Sequence, residues 1–161
     1  MPESLKPLVL QFELNTRLFL NAIGDIPLDL WEKRLEERAN HAAFLSLHLL
    51  DARCFILRLL GIPATHQFED VGKDATRLED IPEFPRPQDI AEAWGRVSTE
   101  LLASVKRVGP EQLDAPAPHD FPVTDRSVFG AIVFLAQHEA YHIGQLAIVR
   151  RAVGLSPLSY S

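Results

Sequence analysis

Apolar residues recur at helical spacing in four stretches of this chain, and each stretch ends in a glycine with a proline close behind. The pairs are Gly24 and Pro27, Gly61 and Pro63, Gly109 and Pro110, and Gly154 and Pro157. Glycine relieves the left-handed conformation that closes many helices, and proline cannot continue one. Four such stops predict four long helices. The first spans about 4–23, with Leu5, Leu8, Val9, Phe12, Phe19, Leu20 and Ile23 on one stripe. Asn15 and Thr16 interrupt that stripe where it should stay apolar. The second spans about 40–60, with Asn40 as its N-cap and a short helical turn near Leu28–Arg34 ahead of it. The third spans about 87–108, with Pro87 in its first turn and Ile90, Ala93, Trp94, Val97, Leu101, Val105 and Val108 facing inward. The fourth runs from near Asp125 to about 153, with Val128, Ile132, Leu135 and Ile148 on its core face. Gly130 and Gly144 lie inside it, either admitting a close neighbour or sitting on the surface at some cost in helix stability.

No stretch shows sustained strand alternation with hairpin turns. The expected fold is therefore all-α, a four-helix bundle. Two connections, 61–86 and 109–124, are long and proline-rich, which suits a bundle with crossovers rather than a simple up-and-down one. Connections of the length of 61–86 are lids, binding loops or floppy linkers.

Composition narrows the picture. At 161 residues, with 47% apolar, one domain spanning 1–161 with a real core is expected. Sixteen basic residues against 22 acidic leave a formal charge of −6, with no basic run, so a nucleic-acid partner is not expected. Neither a membrane-spanning stretch nor a signal peptide is evident, and a soluble cytoplasmic protein is the expectation. Cys54 is the single cysteine, which excludes an intrachain disulfide and a cysteine-rich zinc cluster, and it reads as a core residue. Six histidines remain, so a metal here would be held by imidazoles, with or without carboxylates.

The sharpest local pattern is Gln137-His138-Glu139-Ala140-Tyr141-His142 in the fourth helix. His138 and His142 stand four apart, one turn apart on one face, which makes a two-point grip on a transition metal. The same residues match the HExxH pattern of zinc proteases. That reading fails on its surroundings. Gln145 and Ile148 stand where the metzincin extension needs Gly and His, no Glu follows Glu139, and no flanking strand is expected. A third ligand comes best from the second helix. His41 and His48 share a face there but are separated by roughly 10 Å along the axis, too far for one ion. His48, on the stripe Phe44, Leu45, His48, Ala52, Phe55, should face the bundle interior, whereas His41 begins the helix near solvent. His66 and His119 lie in loops, where a solvated or structural role is the default. The set His48, His138 and His142 gives a three-nitrogen cap open to water or substrate; a core histidine bonded to backbone or hydroxyl is the competing reading of His48.

These residues also carry a resemblance. Asn40-His-Ala-Ala-Phe-Leu-Ser-Leu-His48-Leu-Leu-Asp-Ala-Arg resembles the second helix of the DinB-like superfamily, and His138-Glu-Ala-Tyr-His142-Ile-Gly-Gln through Gly154 resembles its last helix. The resemblance implies a four-helix bundle, commonly a homodimer, with a divalent metal, zinc or nickel, held by His48, His138 and His142. It also implies relatives that include thiol-dependent S-transferase-like enzymes and maleylpyruvate isomerase. The expected activity is then transfer of a low-molecular-weight thiol to a small electrophilic substrate, or an isomerisation. The alternatives are a metal-dependent hydrolase, a non-catalytic metal-binding stress-associated dimer, or a bundle with no metal.

Helpers are sought one turn from the ligands. Asp51 either orients a ligand imidazole or accepts a proton, or is an exposed carboxylate near Arg53 or Arg58. Gln145 either contacts substrate or caps a neighbouring backbone group. Glu139 is a base behind the ligands, or a surface or dimer contact. Tyr141 and Phe134 flank the histidine face, and Asn15 and Thr16 are candidates to reach the pocket from the first helix. Arg150, Arg151, Lys73, Arg77 and Arg86 are the cations available to meet the carboxylate of an acidic thiol.

Overall fold

The computed structural model describes residues 2–71 and 78–160. Six α-helices follow one another: α1 (Lys6–Ile23), α2 (Leu28–Trp31), α3 (Ala42–Leu59), α4 (Pro87–Arg107), α5 (Pro110–Asp114) and α6 (Val128–Ala152). Among the described residues there is no strand, only an isolated antiparallel bridge between Pro116 and Ser127. No helix among them is long and apolar enough to cross a membrane. The four long helices form the bundle. α1 packs on α4 and α6, and α3 packs on the same two, so α1 faces α3 across the centre. The site described below lies in the groove where α3 meets α6.

The apolar stripes predict this packing well. Val9, Phe12, Phe19 and Ile23 of α1 are buried, as are Ile90, Trp94, Leu101 and Val105 of α4. Removing such side chains from water is the main favourable term of folding. Ile148 is the exception: it is 63% exposed, because α6 turns its Ile143, Leu146 and Val149 inward instead.

The helix stops work differently at different glycines. Gly61 and Gly154 adopt φ of 73° and 86°, the left-handed closure that a side chain would strain. Gly24 stays right-handed and Gly109 is extended, so there the prolines that follow carry the break. Gly130 is required for space: a Cβ there would lie 2.3 Å from the Asp125 carbonyl oxygen. Gly144 would meet nothing. α6 begins at Val128 rather than Asp125, because Ser127 takes the N-cap, its hydroxyl accepting from the Gly130 N–H.

The cap of α3 differs from the sequence expectation. His41, not Asn40, is the N-cap: its backbone is extended and its Nδ1 accepts from the Phe44 N–H at 3.2 Å. His41 is also buried, not near solvent, with its ring edge-on to Phe84. Burial, helped by nearby Arg34 and opposed by Glu79, lowers its pKa to about 4. Its folded pKa lies below its unfolded value. This contribution to stability is therefore fully present above pH ~6.5 and is lost as pH falls through about 4. The urea midpoint of the metal-free protein is expected to drop across that window. In His41→Asn, which keeps a capping oxygen, the drop should be shallower, and an unchanged pH profile would refute the assignment.

A three-histidine centre between two helices

His48 of α3 meets His138 and His142 of α6 in the groove between those helices. The Nε2 atoms of His48 and His142 each lie 3.1 Å from Nε2 of His138, and all three rings are half-buried. Around a tetrahedral ion with bonds of ~2.0–2.1 Å, ligand nitrogens stand roughly 3.3 Å apart, so this spacing fits one ion. The donor chemistry fits as well. Gln145 Oε1 lies 2.6 Å from His142 Nδ1, which therefore carries the proton and leaves Nε2 with a bare lone pair toward the centre. Nδ1 of His138 is buried without a hydrogen-bond partner. Burial, then the neighbouring imidazoles, lowers the pKa of His138 to about 4. Burial and then His142 push that of His48 down too, against the opposing pull of Asp51. Three imidazoles crowding their nitrogens together are what a cation would stabilise.

The helper residues are redistributed. Gln145, not Asp51, orients an imidazole of the cluster. Replacing Gln145 by Ala is expected to weaken metal affinity about 10–100-fold without unfolding the chain, as measured by competition with a chromophoric chelator. An unchanged affinity would count against this role. Asp51 pairs with neither Arg53 nor Arg58. Its Oδ1 lies 2.7 Å from Nε2 of His66, whose side chain is almost fully buried, so His66 is a structural residue that holds this carboxylate. Arg58 instead donates to Ala64 O and Glu69. His119 is exposed, near the ring of Phe55. Tyr141, 61% exposed, stands edge-on to His142, and Phe134 packs near His138.

Glu139 is neither a surface residue nor part of the pocket. It lies about 100° round the helix from His138 and is completely buried. Arg53 of α3 grips both its oxygens, Nε to Oε1 at 2.7 Å and Nη2 to Oε2 at 3.1 Å. The remaining guanidinium donors go to Thr16 Oγ1, Ser98 Oγ and Phe12 O, so all five are satisfied. Asn15 Nδ2 donates to Glu139 Oε2 at 3.1 Å, and the guanidinium lies 3.6 Å over the Trp94 ring. Asn15 and Thr16 therefore break the α1 stripe to serve this knot, and they do not reach the histidines. The knot joins all four long helices.

The cations expected for an acidic thiol do not gather at the centre. Arg150 is buried and bound to Asp25, Ala22 O and Ser156 O. Arg151 lines a different cavity, with Gln11 and Tyr160, and Arg86 is the exposed N-cap of α4. Lys73 and Arg77 lie outside the described residues. Cys54 is buried, and burial raises its thiol pKa to about 11, as suits a core residue.

Fold and site together define a helical bundle with a facial three-imidazole cluster that could hold a metal ion. The model of the DinB superfamily matches residues 11–146, and the chain belongs to that family. The crystal structure of a DinB-like protein, YjoA, from Bacillus subtilis matches with a TM-score of 0.68 at 17% identity, over 96% of each chain. That likeness is one of fold. No curated protein matches the chain.

Proposed function

We propose that this protein holds a divalent metal on His48, His138 and His142 and uses it with a low-molecular-weight thiol, as an S-transferase or isomerase acting on small electrophiles. The observation that carries the metal is the convergence of three Nε2 atoms, one of them oriented by Gln145. All-nitrogen ligation suits zinc or nickel. A bound divalent ion would supply positive charge that lowers the pKa of a thiol or water beside it. Asp51 stands one turn from His48 on the wall of the adjoining pocket, placed to take the proton such a group gives up. Hydrolysis is the competing chemistry, since the same carboxylate would serve an attacking water. A homodimer is part of this reading, supported by Leu10, Tyr141 and Ile148, large apolar side chains left exposed on α1 and α6.

Untagged protein should purify with close to one zinc or nickel per chain, and the triple variant His48→Ala/His138→Ala/His142→Ala should carry none. Equal trace metal in the two would refute the centre. Metal-loaded protein is then offered electrophiles with several thiols, beside an ester panel. Thiol conjugation that disappears in the triple variant supports transfer, and ester cleavage alone supports hydrolysis. Turnover that survives removal of the metal overturns both.

A further inference from the structure

We propose that the pocket beside the histidines is built for a ligand with an uncharged or cationic aromatic body, and that it discriminates against a carboxylate at that body's far end. This rests on the metal-centre reading and adds the chemistry of what approaches it. The pocket encloses about 300 Å³, and His48, His138, Asp51, Arg58, Phe55 and Phe134 are among its walls. That volume matches the low end of small-molecule sites. Three phenylalanines form a continuous run of rings leading away from the cluster. Phe134 lies 6.0 Å from the His138 ring, Phe121 lies 5.8 Å from Phe134, and Phe55 lies 6.2 Å from Phe121. All three are only half-buried, although the bundle buries Phe12 and Phe19 completely. Rings at these separations offer edges and faces to a further ring. Phe121 comes from the proline-rich connection before α6. Its carbonyl accepts from Arg126, which also pairs with Asp120, and from the Val123 N–H, so the ring that packs against the wall residues Phe55 and Phe134 is held in place from behind.

The charge on the wall follows from two hydrogen bonds. His66 Nδ1 accepts from the Phe68 N–H, so its proton sits on Nε2 and is donated to Asp51. The half-exposed Asp51 carboxylate thus meets an imidazole N–H, and it pairs with neither Arg53 nor Arg58. Arg58, the one cation among the described wall residues, already meets Glu69 and Ala64 O. An anionic substituent on the Asp51 side of this pocket would thus meet that carboxylate, while the Arg58 Nη1 is already engaged with Glu69 and Ala64 O.

The test uses zinc-loaded protein and three hydroxamates, with binding measured by calorimetry. Acetohydroxamate reports the metal alone, benzohydroxamate adds a ring, and 4-carboxybenzohydroxamate adds a charge. Benzohydroxamate is expected to bind about tenfold more tightly than acetohydroxamate, from burial of the ring. The carboxylated probe should lose most of that gain. Phe55→Ala, which removes a ring from the pocket wall, should narrow the benzo-over-aceto preference to about twofold while leaving acetohydroxamate unchanged. Asp51→Asn should restore the carboxylated probe. If acetohydroxamate binds but all three probes bind alike, the aromatic wall is refuted and the metal centre stands. If acetohydroxamate does not bind, or binds equally to the triple-histidine variant, the metal centre itself fails and this proposal with it.

Discussion

Arg53→Met is expected to destabilise the protein by about 3–5 kcal/mol, because it strips a buried ion pair of one partner. The methionine keeps the side-chain stem near Trp94 but removes all five donors. Glu139, completely buried, is then left with Asn15 as its hydrogen-bond partner. An uncompensated buried carboxylate is costly because it loses its water and gains no counter-charge. Glu139→Leu should cost a similar amount for the converse reason. The double variant Arg53→Met/Glu139→Leu should cost much less than the sum, within about 2 kcal/mol of the wild type, since both charges leave together. The hydroxyls it frees keep partners, because Thr16 Oγ1 also bonds Phe12 O and Ser98 Oγ bonds Trp94 O. Urea midpoints at constant slope measure all three. A cost below about 1 kcal/mol for Arg53→Met would refute the knot as a source of stability.

Saturating zinc is expected to stabilise the folded chain by about 2.7 kcal/mol at a free concentration one hundred times its dissociation constant. For a chain of this size that is roughly 5–10 °C in Tm. The increment should vanish with chelator and be absent from the triple-histidine variant, whose own Tm should stay close to that of the metal-free wild type. It should also shrink in acid. Burial and the neighbouring rings lower the pKa of His138 to about 4, so at this ligand protons displace the ion only in acid. Scanning calorimetry with and without metal at several pH values provides the check. A zinc-dependent rise of equal size in the triple variant would place the ion elsewhere.

Much of the fold is legible in the sequence because the bundle buries stripes, and stripes are periodic. The interior of α4 and most of α1 can be read residue by residue. Ile148 cannot, because α6 is apolar on more than one side and period alone does not say which side faces in. The three histidines are legible because i,i+4 spacing fixes two of them and a lone histidine on the apolar stripe of another helix supplies the third, although that stripe sets it in a groove rather than in the bundle interior. The partners are not. Gln145 on His142, and His66 on Asp51 from fifteen residues away, depend on side-chain direction and on the path of a loop. Arg53 does carry a signal of its partner: a cation set in the run Ala52-Arg53-Cys54-Phe55-Ile56-Leu57 needs a buried anion, and Glu139 is available on another helix. His41 departs from its expected place near solvent because the first residue of a helix is not always exposed, and Phe84 covers this one.

Within His138-Glu139-Ala140-Tyr141-His142, the imidazoles look outward into a groove while the carboxylate looks inward to the centre of the bundle. The metal-ligand candidates and the architectural pair thus occupy adjacent faces of one helical turn and share no side chain. The three histidines can therefore be exchanged without touching what aligns the four helices, and the aligning pair can be held fixed while the groove changes. A scaffold divided in this way can change or lose its ion over evolutionary time and still fold. In such a lineage the buried Arg53–Glu139 pair would report common architecture, and the outward-facing positions 48, 138 and 142 would report whether the chemistry was kept.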